Sequence, residues 1–168
     1  MKGEEFLKKV NMIILLGGLF LTCTSTAKAS YSDEMELRTL SKIEAQESNY
    51  SLGVTKEEID LMAAIAEAEA GNQGLVGKRL VVDVILNRVE SDYFPDAIEK
   101  VIYQQNQFTS INDGNFDKAK SDISDESYAA VYDELLLRTD HDILYFTAND
   151  YGQYGIPAYQ YQDHFFCR

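Results

Sequence analysis

Cysteine and histidine are scarce in this chain of 168 residues, with two of each: Cys23, Cys167, His141 and His164. Cys23 falls in an apolar N-terminal segment. If that segment is removed, only Cys167 remains, next to the last residue, and no intrachain disulfide can form. A secreted domain without a disulfide has a core that is adequate by itself, or comes from a bacterium, where disulfides outside the cell are uncommon. One cysteine and two histidines are too few ligands for a structural zinc site, so no metal and no cofactor is expected. Positive charge is also short, with 15 Lys and Arg against 28 Asp and Glu and a formal charge of −13. Without the four lysines and two glutamates of residues 1–29, these counts fall to 11 and 26 and the charge to −15. Such a surface repels a phosphate backbone, which excludes nucleic acid as a partner, and it keeps a secreted protein soluble. A comfortable transmembrane run is lacking too. Val10 to Leu21 is broken by Asn11 and Gly17-Gly18, and it falls short of the roughly 20 residues a spanning helix needs.

What stands at the N-terminus instead has the form of a secretory signal peptide, residues 1–29. Lys8 and Lys9 make a basic start diluted by Glu4 and Glu5, Val10 to Leu21 follows as the apolar part, and Ala27-Lys28-Ala29 predicts cleavage before Ser30. An uncleaved anchor is the alternative. Phe20-Leu21-Thr22 is a poor context for lipidation of Cys23. The expected product is a secreted protein, residues 30–168, long enough for one domain with a single core.

Residues 30–54 are polar and acidic without sustained periodicity and read as a linker. The domain is expected over 55–168. Thr55 and Glu58 form a capping box that starts a helix at Lys56. Ile59, Met62, Ala63, Ala66 and Ala70 repeat at helical spacing, and Gly71-Asn72 ends the run. A second helix from about Leu75 to Glu90 carries a wide apolar stripe of Leu80, Val81, Val84, Ile85 and Leu86, as a central buried helix would. A short helix is predicted over Asp96 to Tyr103 and a loop over Asn106 to Lys118. Ser124 caps a further helix through Leu137, with Asp125 and Glu126 in its first turn. The runs "ILYF", Ile143 to Phe146, and "HFFC", His164 to Cys167, have strand character. They flank a segment rich in tyrosine and glycine. Helices first and a small hairpin or sheet last make the fold α+β, mainly helical.

Two glutamates interrupt the alanine-rich first helix in "LMAAIAEAEAGNQG". Two positions apart on a helix, they point in separated directions. Glu69 shares its face with Met62, Ile65 and Ala66, whereas Glu67 sits with Asp60, Ala63 and Ala64, nearer the side where a charge reaches water. A carboxylate on an apolar face is costly unless paired, and burial raises the pKa of such a group, as a general acid near neutral pH requires. The plainer reading is that Glu69, close to the helix end, simply reaches solvent or a cap.

The ordered motifs "AEAGNQG", "VVDVILNRV", "FPDAIEKVIYQQNQFTS", "ILYF" and "DHFFCR" resemble the bacterial cell-wall hydrolase family typified by spore-cortex-lytic enzymes (SleB/CwlJ type). The resemblance covers about Glu58 to Arg168. It implies a lysozyme-like or transglycosylase-like fold and cleavage of the β-1,4 bond between N-acetylmuramic acid and N-acetylglucosamine in peptidoglycan. Counted back from Leu86-Asn87-Arg88, the family's catalytic glutamate falls on Glu69. Gln73 stands where many members have a second glutamate, Gly74 where proline is frequent, and Asp163 where asparagine often precedes the histidine. Many members act as lytic transglycosylases, in which one glutamate is acid and then base, whereas ordinary hydrolysis usually needs two carboxylates. Asp83 is a weak candidate for the second.

Sugars stack their C–H faces on aromatic rings and bond their hydroxyls to planar amides. On that basis Tyr103, Gln104, Gln107 and Phe108 are expected to form one wall of a substrate groove, and Tyr145, Tyr161, His164 and Phe166 the other, with His164 as an orienting donor. Core packing is the alternative for each aromatic residue. Asn87 is expected to satisfy nearby backbone and Arg88 to pair with a carboxylate. The expected partners are peptidoglycan strands and an envelope or spore-coat accessory protein, with the chain itself a monomer in the cell wall or spore envelope. Competing classes are a non-catalytic peptidoglycan-binding protein, a hydrolytic muramidase, and an amidase or endopeptidase. The last would need zinc ligands or a reactive cysteine, and at Cys167 packing is the simpler reading.

Overall fold

The structure, a computed structural model, describes residues 53–168. The predicted signal segment 1–29, and the predicted linker except its last two residues, lie outside the described residues. The described part has six helices and three strands in the order α1 (Lys56–Ala70), α2 (Gly74–Glu90), α3 (Ile98–Ile102), α4 (Ser110–Asp113), α5 (Asn115–Ser121), α6 (Asp125–Leu136), β1 (Tyr145–Ala148), β2 (Pro157–Tyr161) and β3 (His164–Cys167).

The apolar stripes read from the sequence are the ones that bury. Ile59, Met62, Ala63, Ala66 and Ala70 of α1 are all inside, as are Leu80, Val81, Val84, Ile85 and Leu86 of α2. From Leu80 to Arg88 no residue of α2 reaches the surface appreciably. A helix enclosed on every side is a central helix, and α2 packs on α6, on α3 and on the sheet. Leu80 and Val84 meet Ile143 and Phe166, with Phe146, Ala158, Tyr159 and Tyr161 closing around them. The Ser124 side chain accepts from the Ser127 amide at the start of α6, the cap its position predicts.

All strand pairs are antiparallel in the order β1–β3–β2, so the last strand of the chain is the middle of the sheet. Phe146 and Tyr159 both stand opposite Phe166, which the sheet therefore carries at the core of the domain. Pro157 opens an edge strand, where its missing N–H costs no ladder bond. Gly155, at φ +76°, leads into that strand, and a Cβ there would stand 2.5 Å from the Arg168 carbonyl.

Four expectations are corrected. The stretch Asn106–Lys118 is not a plain loop but holds α4 and most of α5, hinged at Gly114 (φ +84°), because Phe116 and Ala119 bury one turn apart. The helix expected over Asp96–Tyr103 shortens to Ile98–Ile102. The first strand is displaced from Ile143–Phe146 to Tyr145–Ala148. Ile143 goes to the core instead, with its carbonyl held by the Asn87 side chain and its N–H by Asp140. The tyrosine-rich segment contains a strand, β2, whose pairing partner lies beyond it in sequence.

Candidate active site

Between the end of α1, the segment from Tyr93 to Thr109 and the sheet lies a cavity of about 790 Å³. Glu69, Arg88, Gln107, Tyr145 and His164 border it, together with Tyr93, Phe94, Asn106, Phe146 and Tyr154. Glu69 is half-buried in the last turn of α1. Its Oε1 accepts from the Ser110 hydroxyl at 2.6 Å and lies 3.4 Å from the Ser110 amide. Ser110 is itself buried at the start of α4. The serine thus fixes one carboxyl oxygen and leaves the other without a hydrogen bond among the described residues. Short α4, which the sequence did not foretell, is what brings Ser110 to a glutamate 41 positions earlier.

Glu67 corrects the face assignment. It does not turn to water but inward, where Oε2 accepts from Lys78 Nζ at 3.0 Å, from Ser127 Oγ at 2.6 Å and from Ser124 Oγ. Burial alone would raise its pKa, but these three donors and the Lys78 charge outweigh that and hold it down at about 2. Lys78 is 2% exposed and also meets Glu126 at 3.1 Å, so this cluster ties α1 and α2 to the start of α6. Glu67 has no place in the cavity wall.

The candidates for a second carboxylate are also elsewhere. Gln73 is buried, its backbone carbonyl accepting from the Gln162 side-chain amide, and it does not border the cavity. Asp83 is fully buried, accepts from the Asp140 amide and lies 3.8 Å from Arg138. Desolvation and the neighbouring Glu134 push its pKa up to about 9, so it stays protonated beside a glutamate that stays ionised. Among the described residues Glu69 is the one carboxylate on the cavity wall.

Of the predicted groove residues, the cavity gathers Gln107, Tyr145 and His164. Phe108 is instead buried behind the wall against Phe146, and Phe166 is core. Tyr161 packs on the α2–sheet cluster, beside Gly77. Tyr103 is exposed away from the cavity, edge-on to Phe116, and Gln104 is outside the lining. The tight helix–turn geometry after α3 divides the "YQQNQF" run between three surroundings, which no residue-type argument resolves. The rings that do form the wall make a connected series. Phe94 meets Tyr145 at 5.8 Å, and Tyr145 stacks on Tyr154 at 6.2 Å and 26°. Tyr93 and Tyr154 are largely exposed. The His164 ring lies 4.8 Å from Phe146, and burial lowers its pKa against the opposing pull of Asp163, so it is neutral at neutral pH.

Asn87 satisfies backbone as expected, donating to the Asp140 and Ile143 carbonyls. Among the described residues Arg88 pairs with no carboxylate. Its Nε donates to the Leu144 carbonyl, and its guanidinium carbon sits 4.9 Å from the Phe94 ring centre, 5.2 Å from Phe108 and 5.9 Å from Tyr145. Burial, partly countered by Tyr145, pulls its pKa down to about 10 and leaves it charged at neutral pH. Among the described residues no cluster of three or more His, Cys, Asp or Glu side chains is arranged to hold a metal.

A family model described as Cell Wall Hydrolase matches residues 72–167, beginning just after Glu69. A spore cortex-lytic enzyme of Oceanobacillus iheyensis is 35% identical over 82 residues, 46% of this chain and 30% of that protein. One from Bacillus subtilis is 33% identical over 73 residues, 44% of this chain and 24% of that protein. The chain spans less than a third of the length of these curated relatives. Among solved structures, the catalytic domain of the germination-specific lytic transglycosylase SleB from Bacillus anthracis superposes with a TM-score of 0.60 at 25% identity, covering 69% of this chain and 98% of that one. The catalytic domain of Bacillus cereus SleB gives 0.58 at 26% identity, over 68% and 91%.

Proposed function

Because the chain belongs to the cell wall hydrolase family, we propose that it cuts peptidoglycan glycan strands at the bond between N-acetylmuramic acid and N-acetylglucosamine, as a lytic transglycosylase. One observation carries the choice of reaction: among the described residues a single carboxylate, Glu69, borders an aromatic-lined cavity and is oriented through one oxygen by Ser110. In the first step the protonated Glu69 gives its proton to the glycosidic oxygen, and the bond to the anomeric carbon of muramic acid breaks with oxocarbenium character. In the second, the Glu69 carboxylate takes the proton of the muramic 6-hydroxyl as that oxygen bonds to the anomeric carbon. The product is a 1,6-anhydro end, the glutamate regains its starting state, and no water is consumed. Hydrolysis would usually call on a second carboxylate to activate water, on the opposite face of the sugar in the inverting case.

Tyr93, Phe94, Tyr145 and Tyr154 supply ring faces for sugar C–H surfaces. Gln107, Asn106 and the neutral His164 supply hydrogen-bonding groups for acetamido and hydroxyl groups. The names of the relatives support spore cortex as the substrate, with action in the wall or spore envelope, and the basic, apolar and small-residue pattern of residues 1–29 supports secretion. Mass spectrometry of soluble products from residues 30–168 with purified peptidoglycan and cortex tests this reading. A 1,6-anhydromuramic end is expected. A reducing muramic end would replace transglycosylation by hydrolysis, and binding without release would make the protein a peptidoglycan-binding module.

A further inference from the structure

Among the described residues Arg88 is the single lysine or arginine on the cavity wall, in a chain with a large excess of acid. Its residue is 3% exposed, and Nη1 is shut from solvent with no hydrogen-bond partner. A buried guanidinium is costly unless it is paired and its donors are used. Here three ring faces and one carbonyl satisfy part of it. No carboxylate among the described residues lies within ion-pair distance. Glu69, the carboxyl on the wall, spends one oxygen on Ser110 instead. The neighbouring arginines differ: Arg79 is paired with Glu134 and Arg138 with Glu90. The cavity therefore contains a fixed cation for which the described residues provide no counterion.

We propose that Arg88 is an anion subsite of the cavity and takes a carboxylate of the substituted muramic acid: the lactyl carboxylate where it is free, or the nearest stem-peptide carboxylate where it is amide-linked. The proposal rests on the glycan-cleaving reading and sharpens it. The guanidinium fork matches the two oxygens of a carboxylate, and the ring cage and the Leu144 carbonyl hold it in one orientation. Muramic acid differs from N-acetylglucosamine by its acidic lactyl group, so a cation at this place selects which sugar lies where along the strand. Positive charge develops at the anomeric carbon during cleavage, so the guanidinium serves best beside the lactyl arm and away from the reacting centre. The neutral His164 adds no competing cation.

Calorimetric binding to the Glu69→Gln chain, which cannot turn over, tests this with four β-1,4-linked tetrasaccharides. The first alternates N-acetylglucosamine and N-acetylmuramic acid with free lactyl carboxylates. The second has those carboxylates converted to methylamides, the third carries L-alanine on them, and the fourth is chitotetraose. Binding of the first or third about tenfold or more tighter than of the second and fourth is expected, and which of the two is tighter identifies the carboxylate source. Adding Arg88→Gln should level the series, while Arg88→Lys should keep part of the preference. Equal binding of all four would overturn the subsite and leave the glycan reading standing. Binding of none would overturn both. Because the ligand series is measured with Arg88 in place, the result stands even where an Arg88 variant fails to fold.

Discussion

Glu67 and Glu69 are the same residue type, two positions apart on one helix, and both half-buried. What separates them is the number of donors each meets. Three reach one oxygen of Glu67, whereas one serine, through hydroxyl and amide, holds one oxygen of Glu69. A carboxylate saturated by a lysine and two hydroxyls is a poor proton donor, whereas Glu69 keeps one oxygen without a hydrogen bond among the described residues. Glu69→Gln should therefore remove product release altogether, measured by chromatography of soluble sugars, with the melting temperature nearly unchanged. Ser110→Ala should lower kcat about tenfold with KM held, since it loosens the acid without touching the sugar. Glu67→Gln should cost about 1–3 kcal/mol of stability, read from urea unfolding, and leave the kcat of the folded protein intact. The pH dependence of that contribution has a definite sign. The folded pKa of about 2 lies below the ordinary 4.5, so the contribution is full above 4.5 and is lost as pH falls toward 2. Melting curves of the Glu67→Gln chain should accordingly be flatter than the parent's across that range.

At the level of the elements, α2 does most of the organising. One face meets the sheet through Leu80 and Val84, and its polar residues reach the loop after α6. Asp83 is the cost of that arrangement: a carboxyl kept protonated beside Glu134 while the unfolded chain ionises it. Its folded pKa of about 9 lies above the ordinary 3.8, so its contribution is present below 3.8 and declines as pH rises toward 9. Asparagine keeps the acceptor for the Asp140 amide and does not titrate. Asp83→Asn should thus gain on the parent chain steadily between pH 5 and 9 in thermal melts, and a parallel pair of curves would show that Asp83 is ionised in the fold. The elements most legible from sequence were those whose signals are local. The stripe of α2, the cap of α6 and the aromatic run of β3 each lie within one segment. Strand β2 and helices α4 and α5 were not legible, because β2 exists by pairing with β3 and the two short helices by burying Phe116 and Ala119.

For the whole molecule, charge sets how the domain meets a polymer. A chain of formal charge −13 approaches any carboxylate-bearing glycan against long-range repulsion, while the contact proposed for Arg88 inside the cavity is short-range. Raising ionic strength from about 10 to about 150 mM shortens the screening length from about 30 to about 8 Å and should speed association with wall sacculi. Sedimentation of the Glu69→Gln protein with sacculi measures this. Binding that weakens steadily with salt would mean that a positive surface patch, not the cavity, makes the dominant contact.

The order of the main helices and the α+β class were present in the sequence, since helical period and capping are properties of contiguous residues. The tertiary structure alone decided which of the aromatic and amide residues face the cavity, that Glu67 is a buried tie, and that Arg88 stands without a carboxylate. The deciding contacts join residues far apart in the chain, Glu69 to Ser110 across 41 positions and Lys78 to Ser124 across 46. A side chain's protonation and its access to a ligand follow from what the fold brings against it, and that is a long-range quantity.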